Sequence, residues 1–292
     1  MKEKKFFSYD GSCLHEYAFE IKEPKAIVQI VHGLQENCKL YFNFAKFLNK
    51  NGFNVYMLDQ RAHGKSVERI SQIGISCGDI FSQSVADQLF FTSKLLKQKE
   101  LPIYLIGHSY GSFVCQSYLK KNQFAQKVVL LGTTYTNSFL FKAGKILAKS
   151  AIKFVSPNKR AFKAETKIYR IFNKKFKQGN WVVEDDETWK VLSADKTSHI
   201  PFSYGFYASM FSGITQIYKN INSIDKSLPI LVASGKEDAL SGFGKGISKL
   251  AKVYQKHKLN AKFIFYPNAR HNLLFSASKN QVYQDILNFL QK

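Results

Sequence analysis

Six apolar runs of strand length punctuate this chain, at residues 26–31, 53–58, 101–106, 128–133, 229–235 and 262–266. Several are continuous β-branched or aromatic stretches, the pattern of strands buried on both faces rather than half-exposed ones. Between them lie segments with helical spacing, at 41–50, 82–99, 113–120, 247–257 and, closing the chain, 281–290. This alternation predicts an α/β protein with a mostly parallel sheet and helices on both faces. In the 82–99 helix, Asp87, Gln88 and the lysines are expected on the wet side. Ahead of the first run, two short segments at 5–9 and 13–19 flank Asp10-Gly11, a turn signal that predicts an antiparallel hairpin.

The rhythm breaks after residue 136. From 137 to 203 no strand pattern occurs, only helical pattern rich in Phe, Ile, Leu and Lys, and a further helical stretch follows at 204–218. The expected organisation is a core of residues 1–136 and 204–292 carrying an inserted helical cap at 137–203. Lys142, Lys145, Lys149 and Lys153 recur at helical spacing in that insertion, with Leu140, Leu147, Ala151 and Phe154 on other faces. Two readings stand: a basic amphipathic helix in peripheral contact with an anionic membrane surface, or a solvated outer face.

Composition sharpens some of this. At 292 residues the chain is long enough for one large α/β domain. Its net charge of +22 sets up a long-range field toward anionic partners, yet lysine greatly outnumbers arginine, so biased residue usage explains the charge equally well. With little arginine and no nucleic-acid-binding motif, nucleic acid is not an expected partner. No apolar run approaches the roughly 18 residues of a membrane span, and the basic start lacks a signal-peptide core. A soluble cytoplasmic chain is expected. Cys13, Cys38, Cys77 and Cys115 have neither metal-site spacing nor disulfide-scaffold density, so free thiols and no metal are expected.

The candidate chemistry centres on Gly107-His108-Ser109-Tyr110-Gly111, which follows a buried strand and precedes a helix. That context suits a nucleophile elbow, in which a serine stands at the apex of a sharp turn. The glycines remove Cβ atoms that would collide where the strand reverses into the helix. Gly33, directly after the first buried run, lets the backbone turn and present an N–H outward. The loop from Asp59 to Ser66 ends in Gly64-Lys65-Ser66, but a phosphate-binding loop would need glycine where Asp59 stands. Asp59, Arg61 and His63 read as a loop pinned by internal hydrogen bonds. After the fifth run come Glu237 and Asp238, and after the sixth comes His271. A serine, an acid and a histidine thus follow the third, fifth and sixth runs, in the order of a Ser-Asp-His hydrolase triad. Such a set performs acyl transfer to water without a cofactor: His271 takes the Ser109 proton, the acid steadies the imidazole, and the backbone N–H groups of Leu34 and Tyr110 meet the oxyanion.

These motifs together resemble the monoacylglycerol lipase and bacterial lysophospholipase branch of the α/β-hydrolases, grouped also as serine aminopeptidase-like hydrolases. Residues 31–36 are similar to that branch's HGxxE loop, 59–66 to its DxRGHGxS loop, and 107–111 to its GHSxG elbow. The resemblance runs nearly end to end and implies the α/β-hydrolase fold, Asp238 rather than Glu237 as the acid, and a single-chain glycerolipid ester as substrate. Ala62 and Ser112 stand where the branch usually has glycine. A carboxylesterase or thioesterase on small acyl esters, and a non-catalytic basic membrane-binding protein with a hydrolase fold, are the alternatives.

Overall fold

The computed structural model describes residues 1–76, 78–121 and 124–292. Its centre is an eight-stranded sheet in the order β1-β2-β4-β3-β5-β6-β7-β8. The expected hairpin is there: β1 (Lys2–Phe7) pairs antiparallel with β2 (Cys13–Phe19). Next, β2 runs antiparallel to β4 (Phe53–Asp59), and every pairing from β4 onward is parallel. The apolar runs became β3 (Ala26–Val31), β4, β5 (Ile103–His108), β6 (Ala125–Leu131), β7 (Ile230–Gly235) and β8 (Ala261–Tyr266). Both β3 and β4 are buried at every position, as continuous apolar runs require.

Helices cover both faces. On one side α1 (Phe42–Lys50) and α9 (Lys279–Gln291) pack Phe44, Leu48, Val282 and Ile286 against the sheet. On the other, α2 (Ile80–Lys99), α3 (Tyr110–Leu119) and α8 (Lys245–Lys256) contribute Val85, Val114, Leu250 and their neighbours. The apolar segment at 113–120, read as amphipathic, lies in a helix buried throughout its ten residues. Sandwiched between sheet and α2, it has no wet face.

Asp87 and Gln88 overturn a second expectation, since each is 1% exposed. Their side of α2 faces the hairpin and β3, and each has a buried partner there. Asp87 accepts from Arg61 Nε at 2.6 Å and Nη2 at 2.7 Å, and from the Ser8 hydroxyl. Gln88 Oε1 accepts from Gln29 Nε2 at 2.7 Å, satisfying the one polar side chain of β3, whose Oε1 in turn accepts from Thr92. Burial is tolerated because every such group is paired.

Between β6 and β7 the chain passes through α4 (Phe139–Phe154), α5 (Phe162–Asn173), α6 (Asp186–Ser193) and α7 (Tyr204–Ile214). Among the described residues the only strand-like contact in this stretch is an isolated bridge from Arg160 to Ser203. Along α4, Phe141 and Ala148 are buried, while Phe139, Ile146, Leu147 and Phe154 are exposed together with Lys142, Lys149 and Lys153. Among the described residues, no helix is long and apolar enough to cross a membrane. Cys13 is an exposed free thiol, Cys38 and Cys115 are buried ones, and Cys77 lies outside the described residues.

Removing the carboxylate of Asp87 strands a guanidinium that is only 11% exposed, leaving it Asp10 alone as a charged partner. Asp87→Ala is expected to lower unfolding stability by about 3 kcal/mol. A urea-denaturation series that gave less than about 1 kcal/mol would contradict this account of the α2 face.

Candidate active site

The elbow forms because two backbones meet. A Cβ on Gly111 would lie 2.1 Å from the Val31 carbonyl oxygen, and one on Gly107 would lie 2.6 Å from both Cys115 Sγ and the Gly111 carbonyl oxygen. With both atoms absent, β5 reverses directly into α3 beside the end of β3. Ser109 sits at the reversal with φ +49° and ψ −118°, a left-handed backbone that L residues rarely adopt. Its N–H donates to the Leu131 carbonyl at 2.9 Å, and its carbonyl accepts from the Ser112 hydroxyl at 2.6 Å. Ser112, a departure from the resembling branch, thus ties down the first turn of α3.

Two further loops converge on this serine. A Cβ on Gly235, at the end of β7, would meet the Ala269 carbonyl oxygen at 2.0 Å and that of Arg270 at 2.3 Å, so the acid loop and the histidine loop pack backbone against backbone. His271 Nε2 lies 2.8 Å from Ser109 Oγ, and His271 Nδ1 lies 3.1 Å from Asp238 Oδ2. Asp238 is fully buried, and its other oxygen accepts from the Leu240 N–H at 2.8 Å. Glu237 faces away, 44% exposed and 3.6 Å from Arg270 Nε. Between the two acids, only Asp238 reaches the imidazole. Among the described residues, His271 alone has an imidazole that bonds both a serine hydroxyl and a carboxylate. Ser109 itself is partly exposed. The N–H groups of Leu34 and Tyr110 have no protein acceptor among the described residues.

Behind the histidine lies a buried cluster that the sequence quoted in its motifs without assigning a role. Glu36 Oε2 accepts from the Gly33 N–H at 2.7 Å and from the Tyr41 hydroxyl, and lies 3.2 Å from His108 Nδ1. Burial pushes the Glu36 carboxyl up, but the His108 imidazole, Tyr41 and the Gly33 N–H outweigh it and hold its pKa at about 2. Burial pushes His108 down, yet Glu36 more than reverses this and raises it. Each group thus favours the charged form of the other, and Glu36 fixes the turn that leads into Leu34. The His108 and His271 ring centroids are 5.3 Å apart.

The loop read as internally pinned is held partly from within, by His63 and Asp59, and partly from outside, where Arg61 reaches Asp10, Ser12 and Asp87. Asp59 accepts from the Cys38 N–H at 2.8 Å and the Lys65 N–H at 2.7 Å. His63 is pushed down to about 3 by burial and by neighbouring His32, so it stays neutral. Ala62 has φ +61°, which explains the branch's glycine and burdens this chain with roughly 1–2 kcal/mol of backbone strain. His32, Cys38 and Asp59 bring potential ligand atoms within 4.8 Å of one another. Here His32 Nε2 accepts from the Gln60 N–H, and Asp59 is engaged as above.

Residues 178–184 also reach the site, from a stretch with no recognisable motif. Arg270 Nη1 donates to the carbonyls of Gln178, Asn180 and Val183, and the Asn272 N–H donates to that of Val182. Trp181, carried by this loop, places its ring 4.8 Å from that of His271. A separate cavity of about 500 Å³, lined by residues such as Phe81, Ser117, Lys149 and Gly213, includes none of Ser109, Asp238 or His271. Because the hydrogen-bond line runs through partly exposed Ser109, the chemistry is sought there.

The chain is similar to known proteins along most of its length. Monoglyceride lipase of Saccharomyces cerevisiae is 22% identical over 282 residues, spanning 92% of this chain and 84% of that one. Among solved structures, a thermostable carboxyl esterase from Bacillus coagulans in complex with glycerol superposes with a TM-score of 0.84 at 18% identity, covering 99% of this chain and 97% of that one. A soluble variant of the S. cerevisiae monoglyceride lipase with a substrate analogue gives 0.74 at 20% identity, covering 98% and 94%. At these identities the structures speak for the α/β-hydrolase fold. The family described as serine aminopeptidase, S33, matches residues 22–277, and this chain belongs to it.

Proposed function

We propose that the protein hydrolyses the acyl ester of a single-chain glycerolipid through an acyl-enzyme on Ser109. The observation that carries this reading is the line of hydrogen bonds from Ser109 Oγ through His271 to buried Asp238. In it, His271 Nε2 accepts the Ser109 proton as the oxygen attacks the ester carbonyl, then delivers it to the departing alcohol. Asp238 keeps Nδ1 protonated and stabilises the imidazolium, and it is not itself protonated. The Leu34 and Tyr110 N–H groups receive the developing oxyanion, the second from the N-terminus of α3 where the helix dipole adds to it. Water then repeats the sequence on the acyl-enzyme, with His271 as its base.

The substrate class rests on chemistry and kinship. Residues 137–203 act as a cap whose aromatic side chains offer an acyl chain burial worth roughly 0.8 kcal/mol per CH₂. The name of the yeast relative supports a monoacylglycerol. The lysines of α4 support a second reading, a lysophospholipid whose phosphate they would attract. That same helix supports peripheral docking on an anionic membrane. Phe139 is 88% and Phe154 86% exposed, at the two ends of a helix that also exposes Ile146 and Leu147 beside its lysines. Apolar residues of this size, set among cations, suit an acyl boundary beneath anionic head groups, where each nearby lysine contributes about 1 kcal/mol.

Ser109→Ala is expected to abolish fluorophosphonate labelling and to cut hydrolysis by at least about 10⁴-fold. A panel of monoacylglycerol, lysophospholipid and nitrophenyl esters of graded chain length, with this variant as control, identifies the substrate, and undiminished activity in it would end the mechanism. At low salt the protein is expected to co-sediment with anionic vesicles more than with neutral ones, an excess that salt removes. Equal binding to both would reject the docking. Because Glu36 is held at about 2 against an ordinary 4.5, it contributes on the order of 3 kcal/mol of stability that is fully present above pH 4.5 and lost as pH falls toward 2. Glu36→Gln should flatten that acid limb of the stability curve, and an unchanged limb would contradict the pairing.

A further inference from the structure

Glu165 is the sole acid of α5, set among Lys163, Lys167 and Arg170, yet its carboxylate turns inward rather than toward them. Oε1 accepts from the Phe202 N–H at 2.6 Å and the Tyr207 hydroxyl at 2.8 Å, and Oε2 accepts from Gln35 Nε2 at 2.7 Å. Burial raises its pKa against the pull of these hydrogen bonds. Gln35 directly follows Leu34. It has φ +61°, a conformation that persists only where its surroundings over-determine it. Two contacts do so, and both come from the inserted helical segment: Glu165 holds the side chain, and the His199 N–H donates to the Gln35 carbonyl at 2.9 Å. On the other side of Leu34, the Gly33 N–H is held from the core by Glu36. The Leu34 N–H therefore lies between two clamps, one built into the core and one reaching across from α5.

We infer that Glu165 is a positioning residue: through Gln35 it fixes the backbone that aims the Leu34 N–H at the oxyanion, so the helical segment completes the hole instead of merely covering it. The inference rests on the ester-hydrolase reading of Ser109. It differs from an ordinary structural role because its effect passes through one named residue and falls on the chemical step, where a misplaced donor raises the barrier without weakening ground-state binding.

The test is steady-state hydrolysis of p-nitrophenyl butyrate, a soluble ester, with rates expressed per active site titrated by a fluorophosphonate. Glu165→Ala and Gln35→Ala are each expected to lower kcat on the order of 10-fold, with KM changed less than about twofold. The double variant should match the slower single variant, because both remove one clamp. Glu165→Gln should recover most of the loss. Its oxygen can still accept from Phe202 and Tyr207 while its amide donates to a Gln35 amide turned end for end. Unchanged kcat per titrated site in Glu165→Ala, or multiplying effects in the double variant, would overturn the proposal. Should Glu165→Ala fail to fold, unchanged kcat in folded Gln35→Ala overturns it equally. A wild-type protein that is folded but hydrolyses no ester and takes no label would instead overturn the reading of Ser109, and this inference with it.

Discussion

The site depends on backbone meeting backbone with no side chain between. Gly111 lies on the carbonyl of Val31, and Gly235 lies on the carbonyls of Ala269 and Arg270. These contacts draw the ends of β3, β5 and β7 and the loop after β8 into one place, at the carboxyl edge of a parallel sheet where such folds gather their functional loops. A methyl group at either glycine would have to displace main chain, which a packed sheet resists far more than a side-chain tip does. The strained conformation of Ser109 follows from the same contacts. Its neighbours on both sides are fixed by close packing, and the backbone at residue 109 absorbs the turn that remains.

A second layer handles charge. His108 and Glu36 are buried together beside His271, each favouring the charged form of the other. Uncompensated, either ion would be expensive in a dry interior, and paired they also hold the Gly33 turn. Neutral His32 and His63 lie close by, their rings 4.9 Å apart. Burial lowers His32 and His63, whereas Glu36 raises His108 against its own burial.

Strand positions were legible in the sequence because buried parallel strands read as continuous apolar runs, and the serine, acid and histidine were legible because each follows such a run. What escaped reading shares one cause, a partner distant in the chain. Asp87 and Gln88 look like wet helix positions until Arg61 and Gln29 are seen to face them. Glu36 and His108 stand 72 residues apart, and Gln35 and Glu165 stand 130 apart. Trp181 belongs to no motif, and only the fold brings its ring to His271. The choice between Glu237 and Asp238 likewise turns on burial, which adjacent acidic residues do not reveal in sequence.

The grip of Arg270 on residues 178–184 bears on any exchange of modules between relatives. One guanidinium nitrogen caps three carbonyls of that loop, and the Asn272 N–H takes a fourth. Although 178–184 belongs by chain position to the inserted segment, it is fastened to the histidine loop as one body. A chimera that imported foreign helices up to residue 203 would leave Arg270 reaching for acceptors that had gone. The workable seams lie before residue 178 and after residue 184, so that the helices are exchanged and this short loop stays with the host.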